Sequence, residues 1–293
     1  MNVVAIDMDG TLLHSDGYIS EKNTLALRKL QEQGNKLVIA TGRGISDVHR
    51  LLGEVDITPD GIVALNGAII SWEGNIIKES HMKRDSAVSL IQWLEENKYY
   101  YQIYTNDGLY SPPRSREYFM NDLNIYTSDK EDGDAINEAV RRRADGHWRQ
   151  AQMKKLHHSD QIEEKQLNVY KFLIISMLED KLTSCRMQWN EKENIFITSS
   201  GRDNLEIMHP SIQKGNGLLY LVRHADLSIE STYAIGDNYN DLPMFNAAKY
   251  SIAMGNAEED VKRVASCETK VNDEDGVAHA IESIILPSSA PVR

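Results

Sequence analysis

Five short apolar runs constrain this chain more than any other feature of it. They read "VVAI" (3–6), "KLVIA" (36–40), "GIVAL" (61–65), "STYAIG" (231–236) and "YSIAM" (250–254). Each is short for a helix and apolar enough to be buried on both faces, as strands of a covered parallel sheet are. Helix signals lie between them. Ser20 reads as an N-cap, Leu27 and Leu30 fall on one face, and Gly34 closes the segment. A second helix runs through Val48, Leu51 and Leu52, and "KGNGLLYLVRHA" (214–225) is a third. Helices near 257–265 and 275–285 are expected to finish the chain. Strands alternating with amphipathic helices predict an α/β fold, a parallel sheet covered by helices on both faces.

After residue 65 the rhythm changes. "AIISWEGNIIKES" reads as two strands around a Glu73-Gly74-Asn75 turn. A helix over 85–97 and a hairpin turning at Asn106-Asp107-Gly108 follow. Polar, helix-leaning sequence fills 114–165, then come a strand over 168–176, a helix near 180–192 and strands near 194–209. The expectation is a core made of 1–80 and 207–293, split by an α+β insert at 81–206. The charge runs "RRR" (141–143) and "KKLHH" (154–158) read as solvated faces, and "LPSSAPVR" (286–293) as a frayed terminus.

Composition narrows the functional classes. With 44 acidic against 32 basic residues the net charge is −12, which argues against DNA or RNA as a partner. A small phosphorylated substrate stays compatible, because a local site can be positive within an acidic protein. No stretch approaches the roughly 20 apolar residues that span a bilayer. No basic segment followed by a long apolar one opens the chain, so no signal peptide is expected. Cys185 and Cys267 lie far apart without CxxC spacing, which suits a reducing cytoplasm. Composition thus argues against nucleic acid and membrane partners and leaves a small phosphorylated metabolite open, with the chain expected to be a monomer or weak homodimer.

Ligands of parallel α/β sheets gather at the carboxyl ends of the strands. There the first run meets Asp7 and Asp9, the second meets Thr41-Gly42, and "GDNYND" (236–241) closes the fourth. Lys214, at the start of a helix, can join them. Two close carboxylates repel, and a buried one costs several kcal/mol unless compensated. A divalent cation such as Mg²⁺ prefers hard oxygen ligands, so Asp7, Asp9 and Asp237 are candidates to surround one, with Asp241 nearby. The set suits phosphoryl transfer. Asp7 would attack phosphorus, and Asp9 would protonate the leaving oxygen and then activate water. Thr41 and the Gly42 N–H would hold phosphoryl oxygens, and Lys214 would stabilise the transition state.

Blander readings exist for each piece. A calcium loop counted from Asp7 needs Gly at position six and Glu at twelve, where Leu12 and Tyr18 stand, so that reading fails. "GDNYND" alone reads as a capped helix start with Asn240 or Asp241 as cap. Lys214 sits badly against the positive end of a helix dipole, a hint that an anion faces it. The joint order and placement favour phosphate chemistry.

In that order, "DMDGTL", "VIATGR", Lys214 in "SIQKGNGL" and "AIGDNYNDLPMF" resemble the four motifs of the haloacid dehalogenase superfamily. The DxDGT start resembles its phosphatase branch, and the large insert after "ALNGAII" resembles the Cof-type hydrolases with an α/β cap. The resemblance covers essentially the whole chain. It implies a Rossmann-like core with a mobile inserted cap at 81–206, and Mg²⁺-dependent hydrolysis of a small phosphate ester, such as a sugar phosphate, nucleotide or phosphorylated cofactor, through an aspartyl-phosphate. By position it implies Asp7 as nucleophile, Asp9 as general acid/base and Lys214 as a third catalytic group. Mg²⁺ would be held by Asp7, the main-chain carbonyl of Asp9 and Asp237, with Asp241 behind them. Phosphate would be gripped by Thr41, Gly42, Lys214 and Asn240. Gly217 stands where alanine is frequent in the family and is expected to loosen its helix by up to about 1 kcal/mol. A phosphomutase or phosphotransferase on the same fold would share the aspartyl-phosphate step. A non-catalytic phosphate-sensing regulator would have lost one of these groups, and all are present. No GxGxxG follows the first strand, which argues against dinucleotide binding.

Overall fold

The computed structural model describes residues 1–150 and 153–287. The chain forms two compact units, one from the segments before His81 and after Pro210, the other from His81–Pro210. The larger unit begins with β1 (Val3–Ile6), α1 (Glu21–Glu32), β2 (Lys36–Ala40), α2 (Ile45–Gly53), β3 (Gly61–Ala64), β4 (Ile69–Trp72) and β5 (Asn75–Glu79). The smaller unit opens with α3 (Arg84–Glu96), β6 (Tyr100–Thr105), β7 (Gly108–Ser111), α4 (Ser115–Thr127) and α5 (Gly133–Gln150). It continues with β8 (Lys154–Lys155), α6 (Gln161–Glu164), β9 (Val169–Ile175), α7 (Glu179–Trp189), β10 (Phe196–Thr198) and β11 (Asn204–Met208). The chain then returns to the larger unit with α8 (Lys214–His224), β12 (Thr232–Gly236), α9 (Leu242–Ala247) and β13 (Tyr250–Ala253). Last come α10 (Glu259–Val264), β14 (Cys267–Glu268) and α11 (Gly276–Ala280).

The larger unit has a Rossmann-like core. Its sheet runs β14-β13-β12-β1-β2-β3-β4-β5, and every pairing from β14 to β3 is parallel. β1 lies inside the sheet, with Ile6 in register with Ile39 on one side and Ile235 on the other. All four of its residues are buried, so both faces of the strand are covered, as its unbroken apolar run requires. The Ser20 side chain accepts the Asn23 N–H and caps α1, whose Ala26, Leu27 and Leu30 enter the core. β4 and β5 extend the sheet as an antiparallel hairpin, turning at Glu73 and Gly74, both at positive φ. The short edge strand β14 has no counterpart among the sequence expectations. Only Cys267 and Glu268 pair there, too few residues to show a period of two.

The smaller unit is built on a six-stranded sheet, β10-β11-β9-β6-β7-β8, antiparallel except between β7 and β8. Side chains alternate across it. Tyr101, Ile103, Phe172, Ile174, Leu205 and Ile207 pack with α3 and α7, while Tyr100 packs with Phe119 and Leu123 of α4. Because β11 extends to Met208, the return to the larger unit comes at Ser211, past the expected 206/207 boundary. Arg141 and Arg142 are exposed, as are Lys154, Lys155, His157 and His158, but Leu156 between them is buried. The side chain of Arg143 lies outside the described residues, as does the expected frayed tail beyond Pro287. Burial pushes the Cys185 thiol up to about 12, which leaves it inert. Among the described residues no helix is long and apolar enough to cross a membrane.

Packing gives Gly217 a second reading beside its helix-propensity cost. A Cβ on Gly217 would lie 2.4 Å from Val63 Cγ1 and 3.3 Å from Gly67 Cα. The glycine therefore lets α8 lie close against β3, so its helix-propensity cost accompanies a tight contact.

Candidate active site

The site begins where β1 ends. Asp7 continues the parallel ladder for one more bond, its N–H donating to the Ile235 carbonyl at 3.0 Å. The chain then turns sharply. Gly10 adopts φ +77°, and a Cβ there would come 2.5 Å from Asp237 Oδ2, so the turn and the second acid need a glycine between them. Thr11 Oγ1 donates to Asp237 Oδ1 at 2.8 Å, which ties that loop to the end of β12. Asn256 donates from Nδ2 to the Gly10 carbonyl at 2.8 Å.

Lys214, the first residue of α8, is fully buried. Its Nζ donates to Asp7 Oδ1 and to Asp241 Oδ1, both at 2.5 Å. The anion that its helix position called for is thus supplied by the protein's own carboxylates. Asp241 Oδ2 accepts the N–H groups of Asp237 at 2.9 Å and Asn238 at 3.0 Å. Asn238 caps the turn Tyr239–Asp241, while Asp241 stands at the N-cap position of α9 without a side-chain capping bond, its carboxylate being bent back onto the backbone and Lys214.

The structure brings Asp7, Lys214, Asp237 and Asp241 into one buried cluster. Asp9 stands apart and exposed, its carboxylate gripped by Arg43 through Nε at 2.7 Å and Nη2 at 2.6 Å. Thr41 and Gly42 leave the end of β2, the neighbour of β1, and Thr41 Oγ1 accepts the Arg43 N–H at 3.1 Å. Asn240 is buried in the turn after β12. Arg43 and Thr11 were missed as site residues, although both stand inside quoted motifs, "VIATGR" and "DMDGTL". Asn238 was missed because Asp237, Asn238, Asn240 and Asp241 all offer capping side chains within one short stretch.

Electrostatics make the cluster incomplete by itself. Three carboxylates against one ammonium leave two uncompensated negative charges. Burial, only partly offset by Lys214, and then Asp241, Asp237 and Asp9 hold the Asp7 carboxyl well above the usual carboxylate range. Asp237 is pushed up to about 7 by burial first and Asp241 next. Burial works against the charge of Lys214, but Asp241 and Asp7 outweigh it and raise its pKa. Ligand oxygens of Asp7, Asp237 and Asp241 lie within 4.8 Å of one another. All are hard donors, so these acids fit a divalent metal ion, whose charge would balance the excess. Because Lys214 and two N–H groups already take the oxygens of Asp241, Asp7 and Asp237 are the better placed donors.

Comparison with known proteins shows the family. A family model described as haloacid dehalogenase-like hydrolase matches residues 4–281. Phosphatase YwpJ of Bacillus subtilis (strain 168) is 31% identical over 288 residues, covering 97% of this chain and 100% of its own. The 5-amino-6-(5-phospho-D-ribitylamino)uracil phosphatase YwtE of the same organism is 32% identical over 289 residues, covering 97% and 98%. A solved haloacid dehalogenase-like hydrolase from B. subtilis matches with a TM-score of 0.83 at 31% identity, covering 97% of this chain and 100% of that one. The chain belongs to the haloacid dehalogenase-like hydrolases, as a phosphoric monoester hydrolase of their Cof-type branch.

Proposed function

We propose that this phosphatase hydrolyses a small phosphorylated metabolite through a phosphorylated Asp7, with Mg²⁺ as its metal. The observation that carries the reading is the wholly buried ammonium of Lys214, which sits 2.5 Å from Asp7 at the carboxyl end of β1. A carboxylate so placed is a nucleophile with a fixed direction. Its oxygen attacks phosphorus while the bond from phosphorus to the ester oxygen breaks, and Asp9 gives that oxygen a proton. Asp9 then takes a proton from water as the water attacks phosphorus, which frees Asp7 and releases inorganic phosphate. Lys214 steadies Asp7 and the growing negative charge, and Thr41, Gly42 and Asn240 hold the phosphoryl oxygens. Asp7, Asp237 and the main-chain carbonyl of Asp9 would hold Mg²⁺, which when bound neutralises charge on the acids and the phosphate.

The substrate classes in view are sugar phosphates, nucleotides and phosphorylated cofactors. The relative YwtE is named for a phosphoribityl ester, a primary alkyl phosphate, which supports screening polyol phosphates first. Residues of the smaller unit are proposed to select among them.

The test is turnover of para-nitrophenyl phosphate with Mg²⁺ or with chelator, by the wild type and Asp7→Asn. Turnover is expected only for the wild type with metal. Metal-independent activity, or activity surviving Asp7→Asn, would sink this reading.

A further inference from the structure

Arg43 has no part in the mechanism above, yet its side chain makes the most directional contact that Asp9 has. The guanidinium meets the carboxylate as a fork, Nε on Oδ2 at 2.7 Å and Nη2 on Oδ1 at 2.6 Å. A two-point contact between planar groups sets the plane of the carboxylate as well as its distance, which a lysine cannot do. The base of the fork is also fixed. The Arg43 N–H donates to Thr41 Oγ1 at 3.1 Å, and its carbonyl accepts the Leu65 N–H at 2.9 Å. Asp9 has less support of its own. It lies in a turn beside Gly10, with extended backbone (φ −77°, ψ 121°) and a half-exposed side chain. An ion pair this exposed contributes little to stability, so folding does not account for it.

We propose that Arg43 is a positioning residue that holds Asp9 in the orientation from which it gives a proton to the ester oxygen and then takes one from water. The proposal rests on Asp9 being the general acid of the reaction. That dependence supplies its test, since an alkoxide leaving group needs a proton and a nitrophenolate does not.

The experiment compares kcat/KM on two esters. One is para-nitrophenyl phosphate, and the other is the sugar or polyol phosphate that the wild type turns over best. The enzymes are wild type, Arg43→Ala, Arg43→Lys and Asp9→Asn, each with its melting temperature recorded. Arg43→Ala is expected to lose at least about tenfold more on the alkyl than on the aryl ester, within the range that a general acid supplies. Asp9→Asn should show the same bias, more strongly. Arg43→Lys should not restore the alkyl activity, whereas added guanidinium ion should restore part of it in Arg43→Ala and none in Asp9→Asn. Equal losses on both esters in Arg43→Ala, or full activity in Arg43→Lys, would overturn the role of Arg43. A lack of bias in Asp9→Asn would instead overturn the general-acid reading beneath it.

Discussion

Lys214 opens α8, where the positive end of a helix disfavours a cation, and its ammonium is nevertheless fully buried. Asp7 and Asp241 make this tolerable by accepting from Nζ at 2.5 Å each. The dependence runs both ways, because without the ammonium three carboxylates share one buried space. Lys214→Met is expected to cost about 3–5 kcal/mol in urea unfolding of the metal-free protein at neutral pH, the usual result of stranding a buried charge. The cost should shrink at acidic pH, where the carboxyls take up protons. Thr11 acts more subtly, through one 2.8 Å bond to Asp237. Thr11→Val keeps the shape and removes the donor. It should weaken Mg²⁺ binding about 10–100-fold in a calorimetric titration, as loss of a contact that orients a metal ligand commonly does.

At the scale of elements, α8 and β3 are held close by a residue that propensity alone would score as a weakness. Gly217→Ala would improve the helix by up to about 1 kcal/mol, but overpacking typically costs about 1–3 kcal/mol. With Val63 Cγ1 only 2.4 Å from the new methyl, the packing term wins, and a net loss of about 1 kcal/mol is expected by chemical denaturation. Equal or greater stability in the variant would show that β3 yields easily. The turn after β12 carries a similar lesson. Its backbone is pinned by Asp241 Oδ2, which takes the N–H groups of both Asp237 and Asn238, while Thr11 Oγ1 holds the Asp237 carboxylate.

For the molecule as a whole, the acid cluster is expected to couple stability to pH and to the metal proposed for it. The Asp237 carboxyl is near 7 when folded against an ordinary 3.8, so the folded form keeps a proton that the unfolded chain has released. Stability from this group is therefore present at low pH and lost as pH rises from about 4 to about 7. The metal-free protein should lose on the order of a few kcal/mol over that window, read from denaturant midpoints at successive pH values. Mg²⁺ favours the ionised acids, so its stabilising effect should be larger at pH 8 than at pH 5. A metal effect that does not change with pH would count against the coupling.

Much was decided by local sequence. The apolar runs at 3–6, 36–40, 61–65, 231–236 and 250–254 admit little besides buried parallel strands, because nothing else hides them on both faces. Once they are parallel, Asp7, Thr41 and "GDNYND" must share one edge, which is why those positions could be named as a set. Other features depended on distances across the fold. The return at Ser211 rather than 207 follows from β11, which stays paired with β9 as far as Met208 and so keeps its last residues in the smaller unit. Gly217 is explained only by Val63, some 150 residues before it in the chain, and Arg43 only by Asp9 across the strand ends. Periodicity reports which side of an element is apolar. Which two side chains then meet depends on how closely the elements pack, and the tertiary structure alone decided that.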